Sequence, residues 1–343
     1  MIRQIDLVNC SHYDIGFTDH PLICREMQVR YLDGAIELVA ANRNKPSEEW
    51  FYWTCESNNA VLEWWEQASP ERRAFFLEMV HAGWIDVCAL PFNHNPSLDA
   101  REWHRLAHWL PDELARQLPR RTIMQNDVNG FPRAGVLALL DAGAEFLWMG
   151  LNLDTGGSPV PQPSAFWWAM PDGRRLFVWN SIAYPHGYYL FELEEWRRGP
   201  LPLVADTRYR PPRPGDMLNP SPENLEQAHR ICLSKLERWY AQGYPLERVA
   251  VSMTNMWRID NDPPCDLLPA FIAAWNAAGL TPTLRMTTAT EALDALRAEA
   301  ADQIPTLSGE WTNWWANGVA STPRELSASR QAKRLLDVLD SPL

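Results

Sequence analysis

A histidine and an aspartate two residues apart, His12 and Asp14, stand directly after a short alternating segment, 3–8, that reads as a strand. Alternate residues of an extended segment project to the same side, so an imidazole nitrogen and a carboxylate can meet on one cation. The same spacing also suits a capping aspartate beside a hydrogen-bonded core histidine. A third ligand must come from elsewhere. Asp127, where a later apolar run ends, is the natural one, and a carboxylate there could equally act as a nucleophile. Further polar groups follow other apolar runs: Glu56, Asn93-His94-Asn95, Asn152, Asp154, Tyr184-Pro185-His186, and Thr254-Asn255 with the acidic stretch Asp260-Asn261-Asp262.

The elements that must position these groups alternate in kind. Apolar, β-branched or aromatic runs near 3–8, 50–55, 84–90, 122–126, 145–150, 175–182, 248–254 and 281–286 read as strands. Between them, 21–42, 57–82, 99–118, 132–143, 222–242, 264–278 and 287–300 carry apolar residues at helical spacing, several opening with Asp, Ser or Pro. That rhythm predicts an α/β fold with a parallel sheet wrapped in helices, in which reactive groups collect at the C-terminal ends of strands. Asp172-Gly173 between two aromatic runs predicts a hairpin turn. The proline-dense stretch 199–222 predicts a long surface loop. Residues 323–339 predict a closing helix.

The chain has 343 residues, 46% hydrophobic and 22% charged, which disfavours disorder. The formal net charge of −12 argues against a nucleic-acid partner and suits a neutral substrate. No apolar run approaches the roughly 18 residues of a membrane span. The opening lacks the pattern of a signal peptide, so a cytoplasmic location is expected. The six cysteines are scattered without a C-x-x-C, which predicts buried free thiols rather than a zinc ribbon. Assembly with further copies of the chain stays open.

The run Ser11-His12-Tyr13-Asp14-Ile15-Gly16-Phe17-Thr18-Asp19, with Gln125-Asn126-Asp127 and the helix after it, resembles the N-terminal catalytic domain of family-38 glycoside hydrolases, the α-mannosidases. The resemblance runs through most of the chain. It implies a distorted (β/α)7-type barrel over 1–305, then a Trp-rich loop and the first helix of a helical bundle over 306–343. It implies a zinc ion held by His12, Asp14 and Asp127, with Cys10 where the family carries a further histidine. It implies retaining cleavage of an α-linked sugar, with Asp127 as the nucleophile and Tyr184 and His186 as sugar contacts.

The segment in which the family carries its general acid corresponds to Thr254-Asn255-Met256-Trp257, which has no carboxylate. Asp260 and Asp262 are the nearest replacements, their other reading being loop caps before Pro263-Pro264. The fourth zinc ligand, a histidine in the family, is absent from 311–318, where Ala316 or Asn317 stands. His94, His186 or Asn317 could complete the site, and His94 fits a substrate contact or a structural role equally. Indole faces stack on sugar rings. Of the 18 tryptophans, those on helices, such as Trp64, Trp65 and Trp275, are expected in packing, whereas Trp257, Trp311, Trp314 and Trp315 are candidates for a sugar platform. Two other readings remain: a carbohydrate deacetylase that activates water on the metal, and a non-catalytic carbohydrate-binding relative.

Overall fold

Strand and helix alternate along the chain as the apolar rhythm requires. The computed structural model describes residues 1–93, 98–152, 156–191, 218–254, 261–300, 303–311 and 321–339, the side chains of 185 and 186 excepted. In chain order they form β1 (Gln4–Asn9), α1 (Pro21–Asn42), β2 (Trp53–Cys55), α2 (Asn58–Gln67), α3 (Pro70–His81), β3 (Ile85–Val87), α4 (Ala100–Ala107), α5 (Asp112–Ala115), β4 (Thr122–Asp127), α6 (Arg133–Asp141) and β5 (Phe146–Leu151). There follow β6 (Ser164–Ala169), β7 (Arg175–Asn180), a 3-10 turn (Tyr184–Phe191), α7 (Pro222–Ala241), β8 (Arg248–Met253), α8 (Leu268–Ala277), β9 (Thr283–Thr287), α9 (Ala289–Ala300), β10 (Thr306–Leu307) and α10 (Pro323–Leu339).

Prolines break two of the expected helices. The segment 57–82 divides where Ala68 and Ser69 turn extended ahead of Pro70, and Ser69 then caps α3 by accepting from the Arg72 amide. The segment 99–118 divides likewise before Pro111, after a helix opened by the reciprocal bonds of Asp99 and Glu102.

The strands pair in three sheets, ordered β8-β1-β9, β10-β6-β7-β5-β4 and β2-β3. All pairs are parallel except β6 with β7, the hairpin turning at Asp172-Gly173. Single bonds bridge the sheets. Cys10 pairs with Thr54, linking β1 to β2, and the Ala89 amide donates to Thr122 at the start of β4. The Trp179 indole donates across to the Ala250 carbonyl in β8 at 3.0 Å. β5 and β7 are buried almost throughout, as strands covered on both faces must be. Fully burying an aromatic such as Trp148 or Trp179 stabilises the fold by roughly 1.5–3 kcal/mol each.

Trp64 and Trp275 are buried core residues and Trp65 packs on the core's edge. All six cysteines are free and buried. Helix α10 forms as expected with no buried residue, held by Arg101–Asp337 at 2.7 Å and Lys333–Glu102 at 2.6 Å. Among the described residues no helix is long and apolar enough to cross a membrane.

Candidate metal centre

His12 leaves β1 and turns inward with 1% of its side chain exposed, Asp14 follows at the rim, and Asp127 closes β4. One ligand atom from each, a ring nitrogen and two carboxylate oxygens, lies within 4.8 Å of the others. His12 Nε2 stands 3.5 Å from Asp14 Oδ1 and has no hydrogen-bond partner among the described residues. His12 Nδ1 is 2.8 Å from Glu56 Oε1. The Glu56 carboxylate accepts from Nδ1 there, which directs Nε2 toward the two aspartates. A histidine that donates one nitrogen to a carboxylate and presents the other is oriented as metal-binding histidines are.

Glu56 is itself fixed. It directly follows β2, its side chain is 1% exposed, and it accepts from the Tyr13 amide at 3.4 Å, from Asn126 Nδ2 at 2.6 Å and from Asn93 Nδ2. Asn93 Oδ1 in turn accepts from the Asn126 amide. Asp127 is held by Asn152, whose Nδ2 donates to Oδ1 at 2.7 Å, and by the Tyr184 hydroxyl at 3.4 Å. The Tyr184 ring also lies over His12, 4.3 Å between centroids. The backbone at Asp127 is left-handed, with φ of 67°. A non-glycine residue there costs on the order of 1–3 kcal/mol, tolerated where surroundings over-determine it.

Burial opposes a charge on His12, yet Glu56 and Asp14 outweigh it and hold the imidazole pKa well above its usual value. Burial pushes the Asp127 carboxyl upward, and Asp14 adds to this against the opposing pull of His12, Asn152 and Tyr184. Two carboxylates facing a buried, anchored imidazole match the nitrogen and oxygen donors that a borderline divalent cation prefers. The residues fit such an ion.

Asp262 is fully buried, its amide donating to Ser11 Oγ at 3.1 Å in a network with Gln28 and Asn261 that also reaches the Asp14 carbonyl. Cys10, two residues before His12, is fully buried. Trp311 departs from the platform expected of it: it is 6% exposed and packs edge-on against Trp168 in the core. His94, Trp257, Asp260, Trp314 and Trp315 lie outside the described residues, as does the side chain of His186 and all but the last residues of the 199–222 loop. The anchoring roles of Glu56, Asn93, Asn126 and Asn152 were not assigned from the sequence. Their one signal was position, since Glu56, Asn126 and Asn152 stand at or just beyond a strand's end and Asn93 stands in the loop after β3.

Residues 3–310 match the Glycosyl hydrolases family 38 N-terminal domain. No curated protein matches. Among solved structures, an α-mannosidase from Enterococcus faecalis V583 superposes with a TM-score of 0.62 at 16% identity, covering 90% of this chain and 31% of that one. A family-38 protein from Enterococcus faecalis gives 0.53 at 13% identity, over 90% and 29%. A 4-alpha-glucanotransferase from Thermococcus litoralis gives 0.51 at 14%, over 92% and 41%. These likenesses establish a common fold, and the chain spans under a third of the length of the first two. On the match over 3–310, the chain belongs to glycosyl hydrolase family 38, of which it carries the N-terminal domain.

Proposed function

We propose that this domain is the catalytic centre of a metal-dependent, retaining, α-mannosidase-like glycoside hydrolase acting on a small carbohydrate. The observation that carries the reading is the buried His12 Nε2, without a hydrogen-bond partner among the described residues and gathered with oxygens of Asp14 and Asp127. These three residues would hold a zinc ion, and the same donors would accept Mn²⁺, Co²⁺ or Ni²⁺. Such an ion supplies a grip on neighbouring sugar hydroxyls and keeps Asp127 ionised against its burial.

Asp127, oriented by Asn152 and Tyr184, attacks the anomeric carbon, forming a glycosyl ester as the bond to the leaving oxygen breaks. A second carboxylic acid protonates that oxygen, then takes a proton from the water that releases the sugar with its configuration retained. Asp260 or Asp262 fills that role, and the complete burial of Asp262 favours Asp260. Tyr184, His186, His94, Trp257, Trp314 and Trp315 contact the sugar in this reading.

We also propose that the parallel strands of the three sheets curve into a distorted (β/α)7-type barrel over 1–305, with 306–343 beginning a helical unit. The bonds from Ala89 to Thr122 and from Trp179 to Ala250, which cross between sheets, support the barrel.

The test pairs metal content by plasma mass spectrometry with hydrolysis of a panel of aryl α-glycosides, for wild type, His12→Ala and Asp127→Asn. About one zinc per chain, lost in His12→Ala, with α-mannoside turnover abolished in Asp127→Asn and a fluorinated mannoside trapped on Asp127, is the expected result. Metal-dependent turnover with no trapped adduct would point to deacetylase-like chemistry. Sugar binding with no turnover and no effect of Asp127→Asn would point to a binding relative, which the missing carboxylate at 254–257 and missing histidine at 311–318 favour.

A further inference from the structure

A second concave site lies at the other end of the strands. A cleft of about 530 Å³ opens among Trp50, Tyr52, Trp84, Asp86, Arg121 and Asp294. Trp84 and Arg121 immediately precede β3 and β4, whereas the metal centre lies past the strands' far ends. The six residue steps along β4 from Arg121 to Asp127 span roughly 20 Å.

One wall is aromatic and fixed. Trp50, Tyr52 and Trp84 are each half-buried, and the Arg43 guanidinium packs against all three rings, 4.4, 5.2 and 3.8 Å from their centroids. Arg43 is tied by its Nη2 to the Phe51 carbonyl at 2.9 Å, and the Trp50 indole donates to the Lys45 carbonyl at 3.0 Å. The opposite wall is polar and equally fixed. Asp86 Oδ2 accepts from the Thr290 amide at 2.8 Å, and Arg121 forks onto Asp294 at 2.7 and 2.8 Å while also holding Glu145. Glu291, on the same wall, is paired with Arg285 at 2.8 Å.

This pairing decides the class of ligand. Asp294 is matched by Arg121 and Arg297, Glu291 by Arg285, and Asp86 accepts from the Thr290 amide, while Arg43, which does not line the cleft, braces the three rings from outside it. A ligand charge directed at Asp294, Glu291 or Arg121 would have to break these pairs. A neutral polyhydroxylated ligand would not, since it offers C–H faces to the rings and hydroxyls to the carboxylates and guanidinium. Pre-formed clefts of this volume, with aromatic walls and a few convergent polar groups, are of the kind that bind small molecules. We propose that the Trp50–Tyr52–Trp84 cleft is a second, non-catalytic carbohydrate-binding site, which holds a sugar residue of a larger glycan away from the metal centre.

The test titrates α-linked mannotriose, maltotriose and cellotriose into His12→Ala and Asp127→Asn proteins by calorimetry, with the indole N–H signals followed by NMR. Binding of at least one trisaccharide to both variants, shifting the Trp50 and Trp84 indoles, is expected. Trp84→Ala should weaken it at least tenfold while changing aryl α-glycoside turnover less than twofold. Ala82→Arg, which narrows the cleft and leaves its rings intact, guards against a folding effect of the tryptophan change. No binding of any of the three, or binding indifferent to both Trp84→Ala and Ala82→Arg, would overturn the proposal. Because binding is read in proteins without a working metal centre, its failure is separate from failure of the proposed hydrolase activity.

Discussion

His12 works through what Glu56 does to it. By accepting the Nδ1 proton, Glu56 selects the tautomer that leaves Nε2 for a cation, and its charge also makes a proton a strong competitor at that nitrogen. Because His12 binds a proton more tightly than an ordinary imidazole, metal uptake at neutral pH must release one, and affinity must fall as the pH is lowered. Zinc titrations across pH 5.5–8.5 are expected to show that fall in wild type. Glu56→Gln should weaken zinc roughly 10–100-fold at the upper end of the range. It should also move the onset of the acid loss to lower pH, since the carboxylate that raises the His12 pKa is gone. Unchanged affinity in Glu56→Gln would remove Glu56 from the centre's support.

At the scale of the element, neighbouring strands have to approach closely enough for this network to form. Asn126 in β4 and Gly150 in β5 are paired residues, and a Cβ added to Gly150 would stand 2.2 Å from Asn126 Oδ1 and 3.3 Å from Tyr184 Cβ. Asn126 is the residue whose amide reaches Glu56. Gly150→Ala should therefore strain the fold by about 1–3 kcal/mol and loosen the centre's support together. Denaturant unfolding should show the loss in stability, and zinc affinity should drop with it. A stability and a zinc affinity both equal to wild type would mean that β5 has room the close approach denies.

For the whole molecule, the question is which parts share one core. The apolar clusters gather β1–β9 and the helices between them, while α10 contributes nothing buried and leaves Leu335, Leu336, Val338 and Leu339 exposed. The ion pairs Arg101–Asp337 and Lys333–Glu102 that join it to α4 are of the exposed or half-exposed kind that add about 0–1 kcal/mol each. Ending the chain at residue 322 should shift the thermal midpoint by only a few degrees and leave zinc binding intact, as differential scanning calorimetry and metal titration would show. A loss of cooperative unfolding would place α10 within the core unit.

Much of this was legible in the sequence because it depends on local order. The alternation of apolar runs and helical spacing marked the strands, and with them the rim on which His12, Asp14 and Asp127 stand. A strand's end is a position along the chain, so a residue's place there needs no knowledge of its neighbours. The prolines at 70 and 111 were equally local signals, and reading through them merged helices that the structure divides.

What the tertiary structure alone decided was partnership. Glu56 finds His12 forty-four residues away, Asn152 finds Asp127 across twenty-five, and Arg43, at the end of α1, closes on Trp84 just before β3. Trp311, one tryptophan among many in sequence, is a core residue only because Phe166 and Trp168 come to meet it. Side-chain type and spacing determine what a residue can do chemically. Which group it faces, and so which proton, cation or sugar it can hold, depends on strand adjacency and burial, and these exist only once the chain has packed.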